Sequence, residues 1–151
     1  MTHDEIKELL RLAAIAGRVT PVQPLQYCGY QFSDSPMGTS LIIEDSMVGE
    51  IAWMPHLDSD DSMDLAITCQ LSVDVGTRHR GFVIVRTSDD NWVEFREKWT
   101  RDSDGRLDPF VATRLAVLKT AASIGRRKEQ GLITMTPWEE FTQHIQGQSA
   151  K

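Results

Sequence analysis

The acids around residue 60 are the first groups in this chain whose type and spacing suggest chemistry. Asp58, Asp60, Asp61 and Asp64 crowd one short stretch beside His56, which invites a divalent-cation reading. An EF-hand loop needs oxygen ligands at alternate positions, a glycine at the sixth and a bidentate glutamate at the twelfth. Counted from Asp58, those two places hold Met63 and Cys69; counted from Asp102, the twelfth holds Thr113. Neither stretch fits. The acids read first as helix-capping and solvated groups, because an aspartate cap and acids in the first turn suit the positive end of a helix dipole. His3, His56, His79 and His144 are scattered, and Cys28 and Cys69 form no C-x-x-C pair, so no zinc site is composed. No cofactor is implied.

A second constellation, Arg78-His79-Arg80, has the donors to hold a phosphate, although a solvated strand connection explains it as well. With a nearby tryptophan it would suit a small nucleotide or metabolite. Trp53, beside Pro55 at a helix entry, reads as core, whereas Trp92, Trp99 and Trp138 could stack bases or pack. No nucleophile motif, G-x-G-x-x-G or P-loop is present. The sequence therefore argues against an enzyme, leaving a site assembled from distant residues as the remaining enzymatic option.

Charge is the more informative feature. The net charge of −6 disfavours direct nucleic-acid binding, which calls for a basic excess. No Lys or Arg occurs between Val19 and Thr77, whereas that stretch holds Asp34, Glu44, Asp45, Glu50, Asp58, Asp60, Asp61, Asp64 and Asp74. From Arg78 onward basic residues outnumber acidic ones. An acidic region and a mildly basic one follow.

The elements that must position these groups fit one α+β domain over residues 1–147, with 148–151 as a frayed tail; 151 residues suffice to bury a core. Thr2 and Glu5 form a T-x-x-E capping box ahead of a helix from Asp4 to Ala16, with Ile6, Leu9, Leu10, Ala13 and Ala14 on one stripe and Gly17 as its stop. Val19 to Gly38, with Pro21, Pro24, Tyr27, Tyr30 and Phe32, reads as ordered but irregular. Thr39–Ile43 and Val48–Trp53 read as short strands about a turn. Asp58 opens a helix over 61–70 with Met63, Ala66, Ile67 and Leu71 as its apolar face. Leu71–Val75, Gly81–Thr87 and Asn91–Trp99 have strand character, the last two joined at Ser88-Asp89-Asp90 into an antiparallel hairpin. A polar turn spans Arg101–Arg106. Asp108 then caps a helix over 109–124 with Pro109 at its first position, Val111, Leu115, Leu118 and Ala122 facing inward, Ala112 and Ala116 beside them, and Gly125 as its end. Arg126, Arg127 and Lys128 meet the negative helix end. Thr136-Pro137-Trp138-Glu139-Glu140 starts a last helix to Ile145. The fold class is helices packed on a small antiparallel β-sheet.

Two stretches carry a family resemblance. Trp53-Met54-Pro55-His56-Leu57-Asp58-Ser59-Asp60-Asp61, running on to Ile67, is similar to a W-x-P-x-x-D-x-x-D helix start. Asp108-Pro109-Phe110-Val111-Ala112-Thr113-Arg114-Leu115-Ala116-Val117 is similar to a D-P-aromatic-x-A-x-R-x-A-I helix. Together, flanking a hairpin at Phe82–Trp99, they resemble the phage ABA-sandwich family of bacteriophage and prophage proteins over about residues 51–125. The long Val19–Glu50 segment and the extra tail helix depart from that pattern. The resemblance implies a helix-and-sheet sandwich in a phage or prophage protein and brings no catalytic residues.

The expectation is a phage accessory protein that binds a macromolecule, a host or phage protein, through Glu44, Asp45, Glu50, Asp58, Asp60, Asp61 and Asp64. One form is inhibition of a host defence or nucleic-acid enzyme by imitation of phosphate spacing. The alternative is a small-nucleotide or metabolite binder using Arg78, His79 and Arg80. No run is apolar and long enough to cross a membrane, and the acidic start Met1-Thr2-His3-Asp4-Glu5 is no secretory signal, which places the chain in the host bacterial cytoplasm. There Cys28 and Cys69 read as reduced thiols, with a disulfide between them as the other option.

Overall fold

The computed structural model describes residues 1–22, 30–88 and 93–149. Helix α1 (His3–Gly17) starts on the capping box: Thr2 Oγ1 accepts from the Glu5 N–H at 3.2 Å, and Glu5 Oε2 accepts from the Thr2 N–H at 2.6 Å. Leu10, Leu12, Ala13, Ala14 and Ala16 are buried, whereas Ile6 and Leu9 are half-buried. Burial of Leu12 and Ala16, off the expected stripe, means that α1 is covered on more than one side. Gly17 is not the stop; it lies in the helix, and Arg18 takes the left-handed turn at φ 54°. A Cβ on Gly17 would come 2.7 Å from Leu65 Cδ1, so packing explains this glycine.

Sheet pairing corrects the reading of Val19–Gly38 as irregular. β1 (Thr20–Pro21) and β2 (Phe32–Ser35) both pair antiparallel with one flank of β3 (Gly38–Asp45), and β4 (Gly49–Trp53) pairs antiparallel with the other. Backbone groups around them are also used: the Val22 N–H donates to Ile42 O and the Ile42 N–H to Gln31 O, both at 2.9 Å. Pro21 is tolerated because it sits at a sheet edge. Pro24, Tyr27 and Cys28 lie outside the described residues, so the question of a disulfide does too. Asp45 Oδ1 closes the β3–β4 turn by accepting from the N–H groups of Met47 and Val48.

Asp58 caps α2 (Ser59–Thr68), its Oδ1 accepting from the Asp61 N–H at 2.9 Å. The buried face differs from the expected one. Met63 and Ile67 stand 63% and 64% exposed, while Ser62, Leu65 and Cys69 are buried and Ala66 half-buried, a run at i, i+3, i+4 and i+7 that turns the helix by a step. Burial pushes the Cys69 thiol up to about 12.

A second antiparallel sheet follows, in the order β5 (Ser72–Asp74), β6 (Phe82–Arg86), β7 (Glu94–Lys98), with Val85 opposite both Val73 and Phe95. Asp89 and Asp90 of the expected hairpin turn, and Asn91 and Trp92 of the strand expected after it, lie outside the described residues. β8 (Thr100–Arg101) and β9 (Leu107–Asp108) form a small hairpin whose turn is held by Asp102 Oδ1. Because Asp108 is paired with Thr100, its backbone is committed to the strand, and α3 (Phe110–Glu129) begins one residue later than expected, with Pro109 at the cap position. Asp108 Oδ1 still accepts from the Phe110 N–H at 2.8 Å. Asp108→Ala should therefore cost on the order of 1 kcal/mol in urea titration, as a lost helix cap does.

Along α3 the buried residues include Ala112, Ala116, Val117, Leu118, Thr120, Ala121, Ala122 and Ile124; Val111 is exposed and Leu115 half-buried, against expectation. Gly125 is interior and buried rather than terminal. The stop is at Gly131, φ 73°, where the Leu132 N–H bonds Arg127 O and the Gly131 N–H bonds Lys128 O in a Schellman pattern. A second capping box, Thr136 with Glu139, starts α4 (Pro137–Ser149), which runs on into the stretch read as tail.

The first sheet packs on α1 through β3, α1 packs on α3, and α3 packs on β6 and β7, with α2 against both helices. The fold is thus α+β, with a sheet on either helix of the central pair. Arg11 ties that pair together, its guanidinium bonding Glu8 and Glu129. No helix of the described residues is long and apolar enough to cross a membrane.

Candidate functional site

Register brings the hairpin acids together. Glu44 and Glu50 are direct cross-strand partners, and Asp45 stands opposite Gly49. Like charges placed directly opposite oppose strand pairing, so this pair costs stability. Thr20, Glu44, Asp45, Ser46, Gly49 and Glu50 line an open recess of about 420 Å³. Asp45 also lines a second recess, of about 210 Å³, with Asp61 and Asp64 from α2 and Ile43, Ile51 and Trp53 from the first sheet. Glu44, Asp45, Glu50, Asp61 and Asp64 therefore surround two adjoining hollows that share Asp45. Asp58 and Asp60, at the amino end of α2, line neither.

None of these seven acids forms an ion pair among the described residues. The reason is partly sequence, since the stretch carries no cation, and partly packing. The chain's cations go elsewhere: Lys7 to Asp34, Arg80 to Asp74, Lys119 to Glu97.

Asp45 and Asp61 are the half-buried members, and at Asp61 burial has a consequence. Burial pushes its carboxyl above the usual carboxylate range, the charges of Asp58, Asp64 and Asp60 add to that, and the Met54 N–H, donating to Oδ2 at 3.0 Å, opposes it. A raised folded pKa means that the folded state holds the proton to higher pH than the unfolded chain does. Stability is then present below the unfolded value and is lost as pH rises through the folded one. Asp61→Asn keeps an acceptor for Met54 and removes the buried charge. It should raise the urea midpoint at neutral pH, with the gain disappearing at acid pH.

Helix α2 is a partition. Asp61, Asp64, Leu65 and Thr68 face the acidic recess, while Ser59, Ser62, Met63 and Ala66, at the same spacing, face an apolar groove of about 280 Å³ completed by Val73, Phe110, Thr113, Arg114 and Val117. Periodicity hides this groove, because Met63 falls on the stripe that the sequence assigns to the core. Its signal was a helix with apolar residues on more faces than one core contact can bury.

The remaining candidates do not converge. Arg80 is committed: Nη1 donates to Asp74 Oδ2 at 2.9 Å, Nε and Nη2 donate to Phe82 O, and the guanidinium lies 4.7 Å from the Phe82 ring centroid. Arg78 and His79 are exposed on the turn closed by the Gly81 N–H to Thr77 O, and none of the recesses described above includes them. Trp53 is core and Trp99 is half-buried, donating from Nε1 to Val75 O at 3.0 Å. Burial, with Arg114 nearby, lowers the His56 pKa; its carbonyl accepts from Arg114 Nε, and its ring does not join the acids. Among the described residues no three metal-binding side chains come together. Compared with family models, curated proteins and solved structures, the chain matches none.

Proposed function

We propose that this chain is a binding protein whose acidic surface around Asp45 engages a basic macromolecular partner. The observation that carries this reading is a pair of adjoining acidic clusters that share Asp45, with Glu44 and Glu50 on one face of the hairpin and Asp61 and Asp64 of α2 at the other, none of them neutralised by a described cation. Such an array is unfavourable to fold and is relieved when cations arrive, which gives a basic partner differential affinity. Carboxylates so placed can occupy Lys and Arg sites that normally take phosphate. Together with the resemblance of residues 51–125 to phage ABA-sandwich proteins, this supports a phage or prophage accessory protein acting in the bacterial cytoplasm on a host defence or nucleic-acid enzyme. The same charge disfavours direct nucleic-acid binding.

Affinity capture from a bacterial lysate tests it, with purified chain as bait. A basic partner should be captured, and capture should weaken with added salt, because exposed charges are screened over about 8 Å at physiological ionic strength. Glu44→Lys with Glu50→Lys and Asp45→Asn should weaken capture at least about tenfold, the equivalent of about 1.4 kcal/mol; asparagine preserves the turn acceptor at 45. The comparison variant is Arg106→Glu with Arg126→Glu, both exposed. Lys128 is unsuited to that role because its ammonium bonds Thr134 O and Glu139. Normal capture by the acid variant, with loss in the basic one, ends the proposal.

A further inference from the structure

The second sheet stops abruptly at β5. This strand pairs with β6 on one side and with no described strand on the other. Val73, opposite the fully buried Val85, turns its side chain to the α3 face of the sheet and lines the apolar groove. The groove is thus where the inward side chains of one more strand would sit. Its walls are exposed: Met63 and Phe110 each stand 63% open, with Ile67 and Val75 exposed nearby in sequence. The Leu71 N–H is taken by Ala66 O and Val75 O by Trp99 Nε1, so the open edge is the short β5 itself, and contiguous apolar surface beside such an edge is what strand addition uses.

Charge selects the occupant. The last turn of α2 carries no basic residue, so although backbone N–H groups of Gln70 and Leu71 cap the Ile67 and Ala66 carbonyls, no cation of the helix itself stands at its negative end. That end, Thr68, leads directly into the start of β5, while Arg78 and His79 stand exposed on the turn just beyond its other end. Neither makes an ion pair among the described residues.

We propose that a second copy of this chain fills the groove, the two β5 strands pairing antiparallel about a two-fold axis at Val73. In that register Val73 faces its own copy and Asp74 faces Ser72, so no like charges meet across the axis. Antiparallel pairing carries the Arg78–Arg80 turn of each chain to the carboxyl end of α2 in the other, and the two-fold supplies both cations at once, as an isologous interface requires. Met63 and Ile67 cover the join from α2. This interface lies on the opposite face of α2 from the acidic recess and stands or falls independently of it.

Sedimentation of the full chain from about 1 μM to about 1 mM tests the proposal. The expected result is a monomer–dimer equilibrium, weakened at least about tenfold by Met63→Lys and several-fold by Arg78→Glu. Both residues are exposed, and circular dichroism should show both variants folded. A chain that stays monomeric throughout overturns it, including one that binds an extended apolar peptide of another protein in the groove. A dimer indifferent to either substitution overturns it as well: indifference to Met63→Lys excludes the groove, and indifference to Arg78→Glu excludes the register.

Discussion

Gly125→Ala should destabilise the fold by about 3 kcal/mol or more, at the upper end of what overpacking costs. A Cβ at this position would stand 1.8 Å from Leu12 O and 2.7 Å from Leu12 C. Both are backbone atoms of α1, so no side chain can rotate aside to make room. The helices would have to separate, opening the contact where Leu10, Leu12, Ala13 and Ala16 meet the small residues of α3. Alanine is the better helix former by about 1 kcal/mol, which acts in the other direction and is too small to win. Urea denaturation followed by circular dichroism measures the difference. A variant as stable as the parent would mean that α1 and α3 do not cross at Leu12 and Gly125.

Leu118→Ala is the second large effect, roughly 2–5 kcal/mol, because Leu118 is fully buried and its removal leaves a cavity in a rigid surround. Leu115→Ala, on the same helix but half-buried, should cost only about 1 kcal/mol, in proportion to the apolar area it hides. The contrast is the useful measurement, since both changes delete the same atoms. Equal costs would mean that α3 is rotated from the orientation described above.

That pair also marks what was legible in the sequence. Thr2 with Glu5, and Asp58 with Asp61, were readable because capping joins residues three apart and owes nothing to the rest of the fold. The strands at 38–45, 49–53, 82–86 and 94–98 showed in alternation and turn chemistry. Leu115 and Leu118 are both apolar on a helix covered on several sides, and periodicity could not rank them. Gly17 and Gly125 look like punctuation in one dimension and are contact points in three. β1 and β2 were hidden because their partner, β3, lies beyond the segment that contains them. For the candidate site, the acids were visible as a run without cations. That Asp45 meets Asp61 and Asp64 depends on where α2 docks against the first sheet, and that Arg80 is taken by Asp74 depends on a turn; no local pattern encodes either.

The crossing of α1 with α3 bears on how the chain is made. α1 leaves the ribosome roughly ninety residues before α3 begins, and its contact with α3 is the main closure between the two ends of the fold. The first sheet can shelter one flank of α1 as soon as β3 emerges. The other flank, with the Leu12 carbonyl that Gly125 will meet, stays bare for several seconds at ordinary synthesis rates. Until α3 arrives the nascent protein has an apolar helix covered only by the first sheet and, at its edge, by α2, which makes that interval the time when a chaperone or a protease has most to hold.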